Sequence, residues 1–209
     1  MIRSYNAAPS RRYRVSGATD ARLVNLLGAL ATGLTDGVHE ATSTTAQLDE
    51  IAAAALIALL DFSPRGSVQT LSQVIGLTHS GTVRLVDRLV DAGYVVRMPG
   101  RDARSRSPIL TATGTRVARR ARIAREGAIA RHLEKLSDID RVKLTGLCER
   151  LVSAVTKHRL AQRRAGFTPA GGALCRMCDF GACGREKGTC PAAAESRSHS
   201  QTPLASGNR

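Results

Sequence analysis

The stretch from Ser67 to Leu110 is punctuated more tightly than any other part of the chain, and it constrains the fold most. Ser67 stands where it can cap a short helix carrying Leu71, Val74 and Ile75, and Gly76 breaks that helix. Thr78 can cap the next helix, in which Val86, Leu89 and Val90 face inward until Gly93. Two short helices about a tight glycine turn make a helix-turn-helix. Tyr94 to Met98 is then a short strand-forming run, turned by Pro99-Gly100 and returned by Ser105 to Leu110. Pro108 has no amide proton for a ladder, so the returning strand is expected at an edge. The hairpin tip from Arg97 to Arg106 holds four arginines against one aspartate.

Helical periodicity flanks this unit on both sides. Leu23, Leu26, Leu27, Leu30, Leu34 and Val38 recur at spacings of three and four. Gln47 to Leu60 makes a second, Ala-rich helix that Ser63-Pro64-Arg65-Gly66 stops. A long basic helix begins near Thr113. A last helix starts at Ser137 and carries Leu144, Leu147, Leu151 and Val155 to about Arg164. Hydrophobic residues form 43% of the 209, yet aromatics are 3% and Trp is absent. A core of Ala, Leu and Val favours packed helices over a sheet sandwich. The expected fold is therefore mainly α, a helical winged helix-turn-helix with a small β-hairpin wing.

Four regions follow from these patterns. Residues 1–18 are a polar, basic arm expected to be flexible, and residues 19–165 hold the winged unit and its flanking helices. Residues 166–191 form a cysteine-rich segment, and residues 192–209 a Ser/Ala/Pro-rich tail expected to be disordered.

A net charge of +14 and a pI near 10.9 suit a polyanionic partner. Basic surfaces also attract anionic membranes, but the longest apolar run, Ile51 to Leu60, is too short to span a bilayer of ~30 Å. Met1 to Gly17 contain no apolar signal core. A cytoplasmic location without membrane contact is the expectation, and thiols there stay reduced. Neither a Gly-rich nucleotide loop, a Ser/His/Asp arrangement nor paired carboxylates speak for an enzyme. A small thiol redox protein is the alternative from that class, and an RNA-binding scaffold is disfavoured by the lack of aromatics for stacking.

Three stretches taken together resemble the MarR family of winged-helix regulators. They are Gly76-Leu-Thr-His-Ser-Gly-Thr-Val-Arg-Leu-Val-Asp-Arg-Leu89, Asp91-Ala-Gly-Tyr-Val-Val96, and Arg101-Asp-Ala-Arg104 running into Leu110-Thr-Ala-Thr-Gly114. The resemblance covers roughly Asp20 to Arg164. It implies a homodimer formed by the first and last helices, bound to an inverted repeat in double-stranded DNA, and a possible small-molecule effector between the lobes. The helix after Gly76 would read the major groove, with Thr78, His79, Ser80, Thr82 and Arg84 near the base edges and Arg88 further along. By the same resemblance, Arg104 would enter the minor groove and Asp102 would hold it. Arg97, Arg101 and Arg106 would meet phosphates.

The tail departs from the family. Cys175-x2-Cys178-x4-Cys183-x6-Cys190 places four cysteines within sixteen residues, among Gly181, Gly184, Gly188 and Pro191. In an otherwise cysteine-poor chain, such clustering points to a metal or cluster site. An iron–sulfur cluster is preferred to Zn2+, because structural zinc usually pairs two short knuckles and only Cys175/Cys178 forms one. A metal-free disulfide switch is the third option. Cys148 falls on the apolar face of the last helix and is expected to be buried as a small hydrophobe. His158, near that helix's end, is expected to act as a dipole partner rather than a ligand.

Overall fold

A computed structural model describes residues 17–100, 106–167 and 171–201. Its elements run α1 (Ala18–Ala46), α2 (Glu50–Asp61), α3 (Val68–Ile75), α4 (His79–Asp91), β1 (Val95–Pro99), β2 (Arg106–Leu110), α5 (Ala112–Leu133), α6 (Asp138–Arg164) and α7 (Pro191–Gln201). This is a winged helix-turn-helix with long helices on either side. The capping residues act locally as their chemistry requires. Ser67 Oγ accepts from the Thr70 amide, Thr78 Oγ1 from Gly81, and Ser137 Oγ from Asp140. Asp49 and Thr111 cap α2 and α5 in the same way.

Helix α2 is the centre of the core. Every residue from Ala52 to Leu59 is buried, so the helix is apolar all round and enclosed by α1, α3, α5 and β2. Its alanines let neighbouring backbones come close, while Leu56 and Ile57 fill space with Leu71, Ile75, Val86 and Val95. Beside this core β1 pairs antiparallel with β2, from Val95 opposite Leu110 to Pro99 opposite Arg106. Pro108 sits opposite Arg97 with its ring fully buried, and with only two strands each is an edge.

Long helices leave large apolar side chains uncovered. On α1, Leu23, Leu26 and Leu30 are about half exposed; on α6, Leu147, Leu151 and Val155 are too. Helix α1 lies along α5, whereas α6 packs extensively only on α7. Cys148 belongs to this uncovered region. It is exposed rather than buried, because no described residue covers the outward side of α6. Among the described residues no single helix is long and apolar enough to cross a membrane, and α1 with α2 reach that length only across a 79° bend.

The tail also departs from expectation. Residues 191–201 form α7, with Ala192 and Ala193 buried on the cysteine cluster and α6 alongside. Pro191 at the first helical position and the Ala run after it suit a helix start. The burial that stabilises the helix comes from partners distant in sequence. The basic arm up to residue 16 and the tail beyond residue 201 lie outside the described residues.

Two glycines on α5 separate helix propensity from packing. A Cβ on Gly114 would meet the Tyr94 carbonyl oxygen at 1.8 Å, whereas one on Gly127 would meet nothing within 4 Å. Gly127→Ala should therefore stabilise by about 0.5–1 kcal/mol. Gly114→Ala should destabilise by about 1–3 kcal/mol despite its better propensity. Urea unfolding of both variants at equal protein concentration checks the opposite signs.

Candidate nucleic-acid interface and cysteine segment

Helix α4 presents its first turn to solvent. Thr78, His79, Ser80 and Arg84 are exposed. Thr78 is held by its cap to Gly81, and His79 Nδ1 lies 3.1 Å from Gln69 Oε1 on α3. Arg84 forms no ion pair with any described residue. The opposite side of the helix, Leu85, Val86 and Leu89, is core. Thr82 differs from its expected place among the base-edge residues. It is fully buried, and its hydroxyl donates back to the Thr78 carbonyl at 2.9 Å, so it steadies the turn from behind.

The arginines further along are tied to aspartates. Arg88 pairs with Asp49, the α2 cap, at 2.9 Å, which anchors α4 to the start of α2. Arg97 on β1 reaches back to Asp87 on α4 at 2.6 Å and so fixes the wing against the helix. Arg106 is exposed at the start of β2. The hairpin tip with Arg101, Asp102 and Arg104 lies outside the described residues. Gln69 was not singled out by sequence reasoning, and only its three-dimensional contact with His79 places it beside the exposed turn.

The cysteine segment brings its four thiols together as two pairs. Cys175 shares a hydrogen bond with Cys178, and Cys183 with Cys190. Cys190 is buried with Ala192 and Ala193, and Cys175 and Cys183 pack against them. The hydrogen bond from Cys175, reinforced by Arg125, Arg176 and Arg185, pulls the Cys178 thiol down to about 6. Its partner Cys175 is pushed up by that same hydrogen bond and by burial. Cys183 is raised to about 11, chiefly by burial and then by Cys190. The donor set suits a soft metal, being all thiol with cationic side chains to balance thiolate charge. Hydrogen bonds link the thiols within each pair, while electrostatic interactions also cross between pairs, from Cys190 to Cys175 and from Cys178 to Cys183. Among the described residues no three His, Cys, Asp or Glu side chains are arranged as metal ligands.

Around these thiols the segment is bound into the body of the protein. Phe180 meets Phe62, at the end of α2, edge-on with ring centroids 5.6 Å apart. The Arg185 guanidinium lies over both rings, 4.4 Å from Phe180 and 5.2 Å from Phe62. Arg122 on α5 bridges Asp61 at 2.7 Å and Asp179 at 3.6 Å. The Ala173 amide donates to the Val74 carbonyl at 2.7 Å, so the segment hydrogen-bonds directly to the end of α3. On the other side Arg159 of α6 donates to the Gly172 carbonyl, and Glu195 of α7 accepts from Ser153 and pairs with Lys157. Sequence reasoning missed these contacts. The available signals were the Gly171-Gly172 pair before the first cysteine and Phe167 and Phe180, two of the chain's three phenylalanines, inside the segment.

Comparison with known proteins agrees with this architecture. Residues 46–105 match the MarR family model. No curated protein matches the chain. A MarR family protein from Bacillus stearothermophilus is 28% identical with a TM-score of 0.59, covering 66% of this chain and 96% of its own. The MarR family protein RV2887 of Mycobacterium tuberculosis is also 28% identical, with a TM-score of 0.51 over 64% of this chain and 96% of its own. Sco3205, a MarR family transcriptional regulator from Streptomyces coelicolor solved in complex with DNA, shares the fold at 22% identity and a TM-score of 0.53, over 66% of this chain and 92% of its own. The cysteine segment lies beyond the matched family model. Residues 46–105 are therefore a MarR family domain, set in the winged helix-turn-helix fold of MarR family regulators.

Proposed function

We propose that the chain is a homodimeric, sequence-specific DNA-binding transcriptional regulator, acting as a repressor, whose operator affinity follows the state of its C-terminal cysteines. The observation that carries the DNA reading is the exposed first turn of α4. Its hydroxyls, imidazole and guanidinium stand at the end of a helix whose other face is fixed in the core. Such a turn fits the major groove, where Arg reads guanine and hydroxyls read either base. Arg104, with Asp102 holding it, is assigned to the minor groove, and Arg101 and Arg106 to phosphates. The excess of 31 Lys and Arg over 17 Asp and Glu supplies sequence-independent attraction to the duplex. The DNA complex of Sco3205 supports this reading through shared fold.

Dimerisation rests on the uncovered leucines of α1 and α6. Apolar faces of that extent mark an interface. The two-fold axis relating the chains would set the recognition helices about one helical turn, ~34 Å, apart on an inverted repeat.

At the cysteines, Cys175, Cys178, Cys183 and Cys190 would hold an iron–sulfur cluster, with zinc as the alternative occupant. The centre would supply a redox- or iron-responsive charge, and Arg125, Arg176 and Arg185 would offset the negative charge of the thiolates. The pairwise arrangement of the thiols favours a second reading, a dithiol switch. In it each pair would give up two electrons and two protons to an external oxidant and close a disulfide. A small-molecule effector between the lobes is compatible with either reading.

Three measurements test the proposal. Arg84→Ala should weaken binding to DNA selected by the full-length protein by about 1–3 kcal/mol and relax specificity at one position per half-site. Unchanged affinity and specificity in fluorescence anisotropy would remove the α4 reading. Leu151→Glu should convert the dimer to a monomer in sedimentation; a persistent dimer would move the interface elsewhere. Anaerobically purified protein should contain iron and acid-labile sulfide. Zinc alone would make the centre structural, and metal-free protein with thiols that oxidise in pairs would favour the dithiol switch.

A further inference from the structure

Helix α6, assigned above to the dimer, and the helix-turn-helix, assigned to DNA, have almost no direct contact within one chain. Helix α6 packs extensively only on α7. The cysteine segment is what joins them. Toward α6 it is held by Arg159 at the Gly172 carbonyl, and α7 adds Glu195 to Ser153 and Lys157. Toward the DNA unit, its backbone at Gly172 and Ala173 lies directly on Val74 and Gly76, at the turn between α3 and α4.

The junction is built for close approach. Gly172 and Gly76 both have positive φ, 68° and 76°, and they meet back to back. A Cβ on Gly172 would lie 2.2 Å from the Val74 carbonyl oxygen and 2.5 Å from the Gly76 nitrogen. A Cβ on Gly76 would lie 2.3 Å from the Gly172 nitrogen. Main chain facing main chain cannot turn aside as a flexible side chain does. Behind the junction, Arg185 over Phe62 and Phe180, and Arg122 between Asp61 and Asp179, fix the segment to the end of α2 and the middle of α5. Met177 from the same segment joins the main core.

We propose that the cysteine segment is a strut that sets the position of the helix-turn-helix relative to the dimer helix α6, with Gly172, Phe180 and Arg185 as its positioning residues. In a dimer each strut fixes one recognition unit, so the pair of struts defines which half-site spacing the protein accepts. The state of the four cysteines acts through this strut. Cys175 follows the Gly172–Ala173 contact by two residues, and Cys178 and Cys183 enclose Phe180. A seated strut pre-organises the dimer for one spacing. Releasing it from the α3–α4 turn frees the recognition units and weakens operator binding by the fraction of molecules misplaced. The DNA arm of this inference rests on the regulator reading above; the strut itself does not.

The test uses the full-length dimer with Gly172→Ala, which wedges the junction, and Phe180→Ala, which removes the ring that meets both Arg185 and Phe62 while sparing the junction backbone. Wild type should bind its selected inverted repeat about tenfold more tightly than the same repeat with its half-sites moved by two base pairs. Both variants should lose that discrimination, to less than about twofold, while affinity for a single half-site changes by less than that. Lost stability alone lowers affinity for every spacing alike, so it does not imitate this pattern. Retained spacing discrimination in both variants overturns the strut. Amide hydrogen exchange over residues 71–77, measured without DNA, separates this from failure of the regulator reading. Faster exchange in both variants supports the strut even if no DNA is bound, and unchanged exchange overturns it.

Discussion

Complete burial of α2 is the constraint on which the rest of the structure depends. A helix with no solvent-facing side from Ala52 to Leu59 must be walled in, and α1, α3, α5 and β2 supply the walls. Helix α4 and the cysteine segment are built onto those walls, α4 on α3 and the segment at the end of α3 and on α5. Asp49 caps α2 and also pairs with Arg88, so the start of the buried helix is tied to the back of the recognition helix. Its other end carries Asp61 and Phe62, which receive Arg122 and the cysteine segment. Position of the reading turn and position of the thiols are thus referred to one rigid element.

Charge is distributed accordingly. Two arginines around α4 are used in construction, Arg88 with Asp49 and Arg97 with Asp87, while Arg84 is left exposed. Exposed pairs of this kind contribute little stability, about 0–1 kcal/mol each, so their role is orientation. Around the cysteines, Arg125, Arg176 and Arg185 favour thiolate at Cys178. Arg185 does two things there: it stacks on Phe62 and Phe180 and it balances thiolate charge. A change of charge at the sulfurs is therefore felt by the same side chain that docks the segment.

Local chemistry was legible in the sequence, and long-range chemistry was not. Ser67, Thr78 and Ser137 are caps in the structure because capping needs only a hydroxyl and the amide three residues on. The hairpin, its Pro108 edge and the helix-turn-helix followed from turn residues and periodicity in the same way. Thr82 misled because a hydroxyl near a helix N-terminus suits either a base edge or its own backbone, and burial decided for the backbone. Cys148 misled because apolar periodicity marks a face without saying what, if anything, in the same chain packs on it. Helix α7 and the docking of the cysteine segment depend on Phe62, Val74, Gly76 and Lys157, which lie from 38 residues (Lys157 to Glu195) to 118 residues (Phe62 to Phe180) upstream of their partners and are invisible to any local window.

The central claim is that two copies of this chain hold their recognition helices at a fixed separation on duplex DNA. Hydroxyl-radical footprinting of the full-length protein on its selected DNA tests this most directly. The account predicts two protected half-sites related by a dyad, their centres about 10 base pairs apart, with added minor-groove protection where the Arg104 wing lies. A single protected patch, or uniform protection independent of sequence, would contradict it.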